Sequence, residues 1–154
     1  MFWDAVKTFL VSMLPIIELR GAIPLGTSYH LPWWLNYIVS VTGNLLPVPF
    51  ILFFVEKVLH FMKNHGILVG FVTWLEEKAQ KGIKKVESKA ILGLLLFVAV
   101  PLPGTGAWTG SLVAALFHLD RKYAFISIIS GVLLAGAVIT LISYGVLGAL
   151  SFLL

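Results

Sequence analysis

The sequence predicts an all-α integral membrane protein in which two re-entrant helical hairpins and two transmembrane helices form an inverted repeat. Of the 154 residues, 59% are hydrophobic and only 12% are charged, whereas soluble domains carry about 25% charged residues. The 11 basic and 7 acidic residues are also concentrated, because eleven of them lie between Glu56 and Lys89. Finally, the order of apolar segments and Gly/Pro breaks occurs twice. These observations exclude a soluble enzyme, a nucleic-acid-binding module and a disordered segment.

Two apolar segments are long enough to cross a membrane. A spanning helix needs about 20 apolar residues at a rise of ~1.5 Å per residue. Trp33–Phe54 and Phe125–Gly148 both reach this length without a charged residue. Tryptophans at the start of the first segment suit an interfacial position, and Pro47 and Pro49 predict a kink within it.

Two shorter apolar segments each end in a stretch that contains glycine and proline. Val6–Ile17 meets the stretch Glu18–Gly26, and Ile91–Val100 meets Pro101–Gly110. Ten helical residues are about 15 Å long, which is half of a bilayer, and proline and glycine interrupt helices. We therefore expect two re-entrant hairpins that turn near the midplane, the first of them at Gly21–Gly26. Two kinked spanning helices are the alternative.

The two halves of the chain resemble each other. A shift of 88 residues aligns His30–Leu46 with His118–Leu134 without a gap, and six of the seventeen pairs are identical. Each half contains one hairpin, which does not cross the membrane, and one helix, which does. The halves should therefore have opposite orientations, a pattern that is typical of secondary transporters.

The predicted domain organisation is a single membrane domain, 1–154, with repeat A at 1–55, a linker at 56–90 and repeat B at 91–154. Nine of the eleven basic residues lie in the linker or at the start of the last helix. The positive-inside rule therefore places the linker in the cytoplasm and both termini outside. Apolar residues in the linker recur every three or four positions, which predicts amphipathic helices on the inner leaflet. Anchoring is the simpler role for these helices, and lipid sensing is the alternative.

Glu18 and Arg20 are the central candidates for a substrate or ion site. We expect them near the bilayer midplane, where ionisable side chains are costly unless paired or hydrated and where they mark ion or substrate pathways. A carboxylate there suits proton uptake and release, and the planar guanidinium of arginine fits phosphate or carboxylate. The structural alternative is a salt bridge that only holds the first hairpin against the other helices.

The second hairpin turn offers a complementary site for an anion. Its backbone N–H groups stand at the start of a half-helix, where the helix dipole favours negative charge. We expect both hairpin tips to meet at one site. Alternatively, the glycines of the tips only permit close packing of helices. The predicted lining residues are Gly21, Pro24, Pro103, Gly104, Thr105, Gly106, Trp108 and Thr109.

Four further polar positions are candidates, each with a simpler alternative. Asn44 in the first spanning helix is either a hydrogen-bonding link between helices or a substrate contact. Arg121 either caps the cytoplasmic end of the last helix or binds a lipid phosphate. His30 and His118, which the repeat aligns, are either interfacial anchors or proton relays.

The sequence contains no recognisable catalytic or metal-binding signature. Cysteine is absent, and no Ser/His/Asp set, HExxH motif or Walker loop is found. We therefore expect a protein that is not an enzyme and that uses no metal and no cofactor. The expected partners are membrane lipids, an amphipathic substrate that can carry a phosphate, a coupling proton or sodium ion, and a second copy of the chain in a homodimer. Nucleic acid is not an expected partner.

Two motifs carry a resemblance to a known family. The stretches Glu18–Pro24 (ELRGAIP) and Pro101–Gly110 (PLPGTGAWTG) resemble those of the small multidrug export family of prokaryotic membrane proteins, and the resemblance covers nearly the whole chain. More distantly, the chain is similar to the DedA (VTT-domain, SNARE-associated) superfamily, whose members have two re-entrant hairpins with acidic and arginine residues inside the membrane. That similarity implies return of undecaprenyl phosphate across the prokaryotic inner membrane, coupled to an ion gradient.

The resemblance also implies roles for single residues. Glu18 corresponds to the acidic residue of the first DedA hairpin, and Pro24 corresponds to its proline. The second hairpin differs from the DedA pattern, which has an arginine in the turn. This chain has Pro103–Gly106 at that place, and its arginine is Arg20 in the first hairpin.

Three functions remain open from the sequence. The first is a proton- or ion-coupled transporter of an amphipathic anion such as a polyprenyl (undecaprenyl) phosphate, with Arg20 and the hairpin N–H groups holding the head. The second is multidrug efflux of cationic amphiphiles, with Glu18 as the counter-ion. The third is a non-transporting membrane scaffold, in which Glu18 and Arg20 are structural.

Overall fold

The computed structural model describes residues 1–65, 70, 73, 87–102 and 104–153. Within these ranges the chain forms helices and no strand, which confirms the all-α prediction. The amphipathic helix expected between 72 and 86 lies outside the described residues. The helices are α1 (Phe2–Ser12), α2 (Glu18–Ser28), α3 (Trp33–Leu45), α4 (Pro47–Asn64), α5 (Glu87–Ala99), α6 (Ala107–Leu116) and α7 (Arg121–Leu153).

Two stretches of helix are long and apolar enough to cross a membrane. They are Trp33–Val55, which joins α3 to the first part of α4, and Arg121–Gly145 in α7. Both coincide with the segments that the sequence predicts. The first stretch is interrupted at Leu46, directly before Pro47, because proline has no N–H to donate to the preceding turn. Leu46 keeps helical φ and ψ angles of −60° and −41°, so the kink at Pro47 and Pro49 stays a prediction.

The last helix extends beyond the predicted span at both ends. It begins at Arg121, four residues before the predicted start, and runs to Leu153. Asp120 caps it, because its carboxylate accepts the N–H groups of Lys122 at 3.0 Å and Tyr123 at 3.2 Å. Aspartate is among the preferred N-cap residues, so the helix begins at this polar residue and not at the first apolar one.

The first hairpin turns earlier than the sequence predicts. The link between α1 and α2 is Met13–Ile17, and the predicted turn at Gly21–Gly26 is wrong because that stretch is helical. Pro15 stands in the middle of the observed link, where a missing N–H costs nothing to a helix. Gly26 permits packing instead of turning the chain, since a Cβ atom there would overlap the side chain of Asn36.

The second hairpin turns where the sequence predicts. The backbone between α5 and α6 is irregular at 100–102 and at 104–106, within and just before the predicted stretch, and the residues from Ala107 onward are helical. Gly104 and Gly106 have φ angles of +81° and +146°, which glycine adopts without the steric penalty of a side chain. Pro103, one of the predicted site residues, lies outside the described residues.

The second helix of each hairpin packs against the long helices of the other half. α2 contacts α7 and α6 contacts α4, while α1 packs on α3 and α5 packs on α7 within their own halves. The buried core between these helices includes Ile23, Val98 and Ile128. Large apolar side chains cover the outside, among them Phe54 at 67% and Leu141 at 75% exposure. An apolar surface of this extent suits a lipid environment.

The helices α2 and α6 end in the same way. His30 and His118 have φ angles of +56° and +50°, and the next N–H bonds to the carbonyl five residues earlier, at 3.1 Å for Leu31 and 3.0 Å for Leu119. This arrangement is a Schellman cap, and histidine is enriched among the residues that adopt positive φ. The shared geometry of these two aligned histidines supports a structural role in ending the helices.

Asn36 joins three helices through its buried side-chain amide. The amide of this α3 residue donates to the carbonyl of Ile23 in α2 at 2.8 Å and to the hydroxyl of Tyr144 in α7 at 3.0 Å. Tyr144 in turn donates to the carbonyl of Leu31 at 2.6 Å. Hydrogen bonds of this kind connect helices in an apolar environment. Asn44 is the predicted polar link of this apolar segment, but Asn36, which no sequence pattern distinguishes from it, makes these bonds instead.

Candidate substrate and ion site

The tip of the second hairpin is the surface on which the candidate site is built. Gly106 directly precedes α6, so the first N–H groups of α6 have no partner within their own helix. The carbonyl groups of Val100 and Leu102 lie in the turn after α5, where they also accept hydrogen bonds from Thr105. The tip therefore presents a partly positive helix start beside a group of carbonyl oxygens.

Glu18 supplies the negative charge at the start of α6. Its side chain is only 4% exposed, and Oε1 accepts the backbone N–H of Trp108 at 3.1 Å. The carboxylate thus caps α6 from the other hairpin. Glu18 also has a φ of +51°, which is strained for a residue with a side chain, and such strain is often found at functional sites.

Arg20 supplies the positive charge at the end of α5. Its Nη1 donates to the carbonyl of Leu102 at 2.7 Å, and its Nη2 donates to the carbonyl of Val100 at 3.1 Å and to Oγ1 of Thr105 at 2.8 Å. These three acceptors lie 80 or more residues away in the sequence. The guanidinium therefore fastens the first hairpin to the second.

The direct ion pair between Glu18 and Arg20 is the weaker contact. Nη1 of Arg20 lies 3.9 Å from Oε2 of Glu18, whereas both side chains make hydrogen bonds of 2.7–3.1 Å to the other hairpin. Charge-assisted hydrogen bonds weaken steeply beyond about 3.2 Å. The sequence-based alternative of a stapling salt bridge is thus modified, because Arg20 binds mainly to the α5–α6 turn and Glu18 binds to the start of α6.

Two further contacts close the site between the hairpin tips. Trp108, at the start of α6, donates its indole N–H to the carbonyl of Met13 in the first hairpin link at 3.0 Å. At Gly106 a Cβ atom would overlap the carboxylate of Glu18, so only glycine permits this approach. Both residues are among the predicted lining residues, and the structure brings both to Glu18.

Asn44 lies beside Glu18 with its side-chain amide unsatisfied. It is 1% exposed, and within the described part of the chain neither Nδ2 nor Oδ1 has a hydrogen-bond partner. The predicted link between helices is therefore not found. Asn44 lines a narrow gap between the helices, which in this conformation is too tight for a water molecule. The other residues around this space include Glu18, Arg20, Gly106, Ala107, Val132 and Ala135.

The remaining predicted residues lie around the site or away from it. Gly21 packs against Ile17, and Pro24 is exposed on α2. Gly104 is exposed on the turn, and Thr109 bonds only the carbonyl at the start of its own helix, at 3.4 Å. Arg121 stands at the start of α7, outside this space. Within the described ranges, no three His, Asp or Glu side chains come together to hold a metal.

The apolar walls of the space and the backbone acceptors are what sequence reasoning missed. Leu19, Val98, Val132 and Ala135 line it, but such residues occur throughout the chain and carry no distinguishing pattern. The carbonyl acceptors of Arg20 depend on how the α5–α6 turn folds, so residue types alone do not select them.

Comparison with known proteins gives one match. A family model described as "Putative small multi-drug export protein" matches residues 18–138. The matched region begins at Glu18 and includes the α5–α6 turn and most of α7. No curated protein and no solved structure matches the chain.

Proposed function

Because the chain belongs to the small multi-drug export family, we propose that it is a membrane transporter that moves an amphipathic anion such as a polyprenyl phosphate. Its site is the meeting point of the two hairpin tips, with Glu18 and Arg20 at the centre. The observation that supports this proposal is that Glu18 and Arg20, two opposite charges of the first hairpin, both bind polar groups of the second hairpin. Ionisable groups in such a place mark transport pathways.

We propose that the two hairpins are re-entrant and approach each other from opposite leaflets. The short helices α1, α2 and α6 have 11, 11 and 10 residues, about 15–17 Å each and half of a bilayer. The reciprocal packing of α2 on α7 and α6 on α4 supports this topology, as do the matching caps at His30 and His118. The basic linker and the start of α7 would then face the cytoplasm of a prokaryotic cell.

The mechanism that we propose is an exchange of anions at the start of α6. The carboxylate of Glu18 and a phosphate are chemically similar ligands for N–H groups at a helix start. When Glu18 takes up a proton, it loses the charge that holds it there, and the N–H of Trp108 becomes available. The space between the hairpin tips is too tight for a phosphate in this conformation, so the tips must move apart. A phosphate group then binds between α6 and Arg20, with the hydroxyl of Thr105 next to the guanidinium.

Charge balance supports this exchange. The empty site holds a carboxylate beside a guanidinium, and the loaded site holds a neutral acid, a guanidinium and a singly charged phosphate. Both states are neutral, which reduces the cost of moving the site through an apolar medium. Asn44 offers an unpaired donor and acceptor in the same space, so it can bind the incoming head or the displaced carboxyl group. The coupling ion is then a proton that travels with the anion.

The family description favours a second function, the export of cationic amphiphiles with Glu18 as the counter-ion. Arg20 opposes it, because its guanidinium lies 3.9 Å from the carboxylate and already balances the charge. A non-transporting scaffold is the third alternative, since Glu18 and Arg20 do connect the hairpins. Measurements of ligand binding distinguish these three functions.

Glu18→Gln is expected to reduce the pH dependence of anion binding. Polyprenyl phosphate should raise the melting temperature of the purified protein by about 5 °C or more at saturation, and more strongly at pH 6 than at pH 8. The Glu18→Gln variant, whose side chain is always neutral, should keep only the smaller pH dependence that comes from the phosphate itself and should fail to transport. Thermal-shift titrations in detergent measure both effects.

Asp4→Asn is the matched control, because Asp4 is an acidic residue at the N-terminal end, paired with Lys7 at 3.5 Å. It should keep the pH dependence of the parent protein. Since the phosphate also titrates near pH 6, only the difference between parent and Glu18→Gln reports on Glu18. Stabilisation by a quaternary-ammonium dye and not by the phosphate would support cation export instead, and stabilisation by neither would support a scaffold.

A further inference from the structure

A row of buried polar side chains leads away from the gap between the hairpin tips. Asn36, Ser40 and Asn44 stand four residues apart on α3, so they share one face of that helix, and each is at most 1% exposed. Thr140 and Tyr144 stand four residues apart on α7. We call these five residues the polar column.

The helices α3 and α7 lie antiparallel along the polar column. At one end, the amide of Asn36 donates to the hydroxyl of Tyr144 at 3.0 Å. At the other end, Asn44 and Val132 line the same gap beside the hairpin tips. Because Val132, Thr140 and Tyr144 are separated by multiples of four residues, they share one face of α7. Thr140 therefore lies on the column between its two ends.

The polar column holds polar groups that its own helices do not satisfy. Within the described residues, all the buried side-chain nitrogen and oxygen atoms without a hydrogen-bond partner belong to two of its members, Asn44 and Thr140. Thr140 is only 7% exposed. By contrast, Thr42 on the outer face of α3 bonds the carbonyl of Ile38 in its own helix at 2.7 Å. Since buried polar groups are nearly always bonded, the unpaired groups on the column indicate that water reaches them.

The polar column extends from the gap to one end of both membrane-spanning stretches. Tyr144 is half-buried and stands next to the last residue of Arg121–Gly145, while Asn36 is close to the start of Trp33–Val55. In the topology proposed above, this end is the membrane surface away from the linker. Between Val132 and Tyr144, α7 rises about 18 Å, which is more than half of a ~30 Å hydrocarbon core.

We propose that the polar column is the path by which protons reach Glu18 from the membrane surface away from the linker. The inference rests on the proposed function, because it requires Glu18 to take up a proton during transport. When the hairpin tips move apart, water enters the column and bonds to the unpaired groups of Asn44 and Thr140. A proton then passes along this water from the surface to the carboxylate, which becomes the neutral acid.

The close packing of α3 on α7 keeps this path narrow. A Cβ atom at Gly136 would lie only 3.1 Å from the side chain of Val41, so the two helices are in contact beside the column. A path of this width suits single water molecules and excludes the phosphate, which must enter between the hairpin tips. Protons and anion thus reach Glu18 by different routes.

Water is needed because no other proton carrier faces Glu18 within the described residues. Arg20 is the charged side chain in the gap. On α1, which also packs on α2, Asp4 and Lys7 lie at the far end, where Lys7 is 5.5 Å from the ring centre of Tyr29. The residues of the other helices around the gap have no ionisable side chain, and they are Asn44, Val98, Gly106, Ala107, Val132 and Ala135.

Thr140→Val tests the path without changing a residue that lines the gap. It keeps the shape of the side chain and removes an unbonded hydroxyl, so it should raise the melting temperature by about 2–6 °C. A purely structural hydroxyl would give the opposite shift. Proton-driven uptake of polyprenyl phosphate into proteoliposomes should nevertheless become slower by about ten-fold or more, and Thr140→Ser should restore it.

Matched controls come from hydroxyls outside the polar column. Thr42→Val removes an exposed hydroxyl of α3 and should transport at the parental rate. Ser40→Ala gives a second test within the column and should also slow uptake. Its control is Ser130→Ala, because Ser130 bonds the carbonyl of Ile126 in its own helix at 2.9 Å.

Equilibrium measurements distinguish failure of the path from failure of the proposed function. A path changes the rate of proton delivery and not its extent, so Thr140→Val should bind polyprenyl phosphate and take up protons at equilibrium like the parent. Parental uptake rates in Thr140→Val and Ser40→Ala, or an equal loss in Thr42→Val, would overturn the path alone. Uptake driven by sodium and not by pH would also overturn it. Absence of proton uptake at Glu18 in the parent would overturn the proposed function, and the path with it.

Discussion

Replacing Arg20 with alanine is expected to abolish transport. It should also lower the free energy of unfolding by about 3–5 kcal/mol, which is the usual cost of removing one partner of a buried charged pair. The change deletes hydrogen bonds to Leu102, Val100 and Thr105. It also leaves the buried carboxylate of Glu18 without the charge that faces it at 3.9 Å. Thermal unfolding in detergent and transport in proteoliposomes measure the two effects.

Two controls identify the cause of that loss. Arg20→Lys keeps the positive charge but cannot reach three acceptors at once, so its stability should fall between those of the parent and the alanine variant. Lys7→Ala removes an exposed lysine that pairs with Asp4 and should change neither stability nor transport measurably. An Arg20→Ala protein as stable as Lys7→Ala would show that the guanidinium does not join the hairpins.

The second large effect is expected at Gly106. Gly106→Ala places a side chain at a φ of +146°, a region that is almost exclusive to glycine and costs roughly 1–3 kcal/mol. The new Cβ atom also overlaps the carboxylate of Glu18, which must leave the N–H of Trp108. We expect a total loss of about 3 kcal/mol or more, together with loss of transport, measured by thermal unfolding and flux.

Alanine substitutions at two other glycines of the same hairpin distinguish the effect of backbone strain from the effect of displacing Glu18. Gly104→Ala meets no atom within 4 Å but has a φ of +81°, so it should cost only the steric penalty of about 1–2 kcal/mol. Gly93→Ala, within α5 and also open, should stabilise the helix by about 0.5–1 kcal/mol. If Gly106→Ala were no more harmful than Gly104→Ala, Glu18 would not lie against the turn.

The sequence predicts the second hairpin better than the first. In the second hairpin, Pro101 and the glycines of the turn coincide with irregular backbone, and Gly104 and Gly106 are needed for their positive φ angles. In the first hairpin, the same residue types lie in a helix. Pro24 occupies the interior of α2, where neighbouring helices can satisfy freed backbone groups. Proline and glycine alone therefore cannot locate a turn in a packed membrane helix.

The site is predictable in its charges but not in its partners. Glu18 and Arg20 stand out because they are charged residues in an apolar stretch. Their partners are the Thr105 hydroxyl and backbone groups of the α5–α6 turn and of the start of α6, whose positions follow from the tertiary fold. The unsatisfied amide of Asn44 is likewise a property of packing, since Asn36, eight residues earlier, is fully bonded.

The most direct test of the central claim counts protons during ligand binding. Polyprenyl phosphate is added to the purified protein in weakly buffered detergent solution at pH 8, where the phosphate keeps its full charge. If the phosphate replaces the carboxylate of Glu18 at the start of α6 and binds singly charged, the parent protein should take up about two protons for each phosphate bound, one on Glu18 and one on the phosphate, and Glu18→Gln should take up only the proton of the phosphate. Binding without proton uptake by the parent, or equal uptake by both proteins, would contradict the exchange.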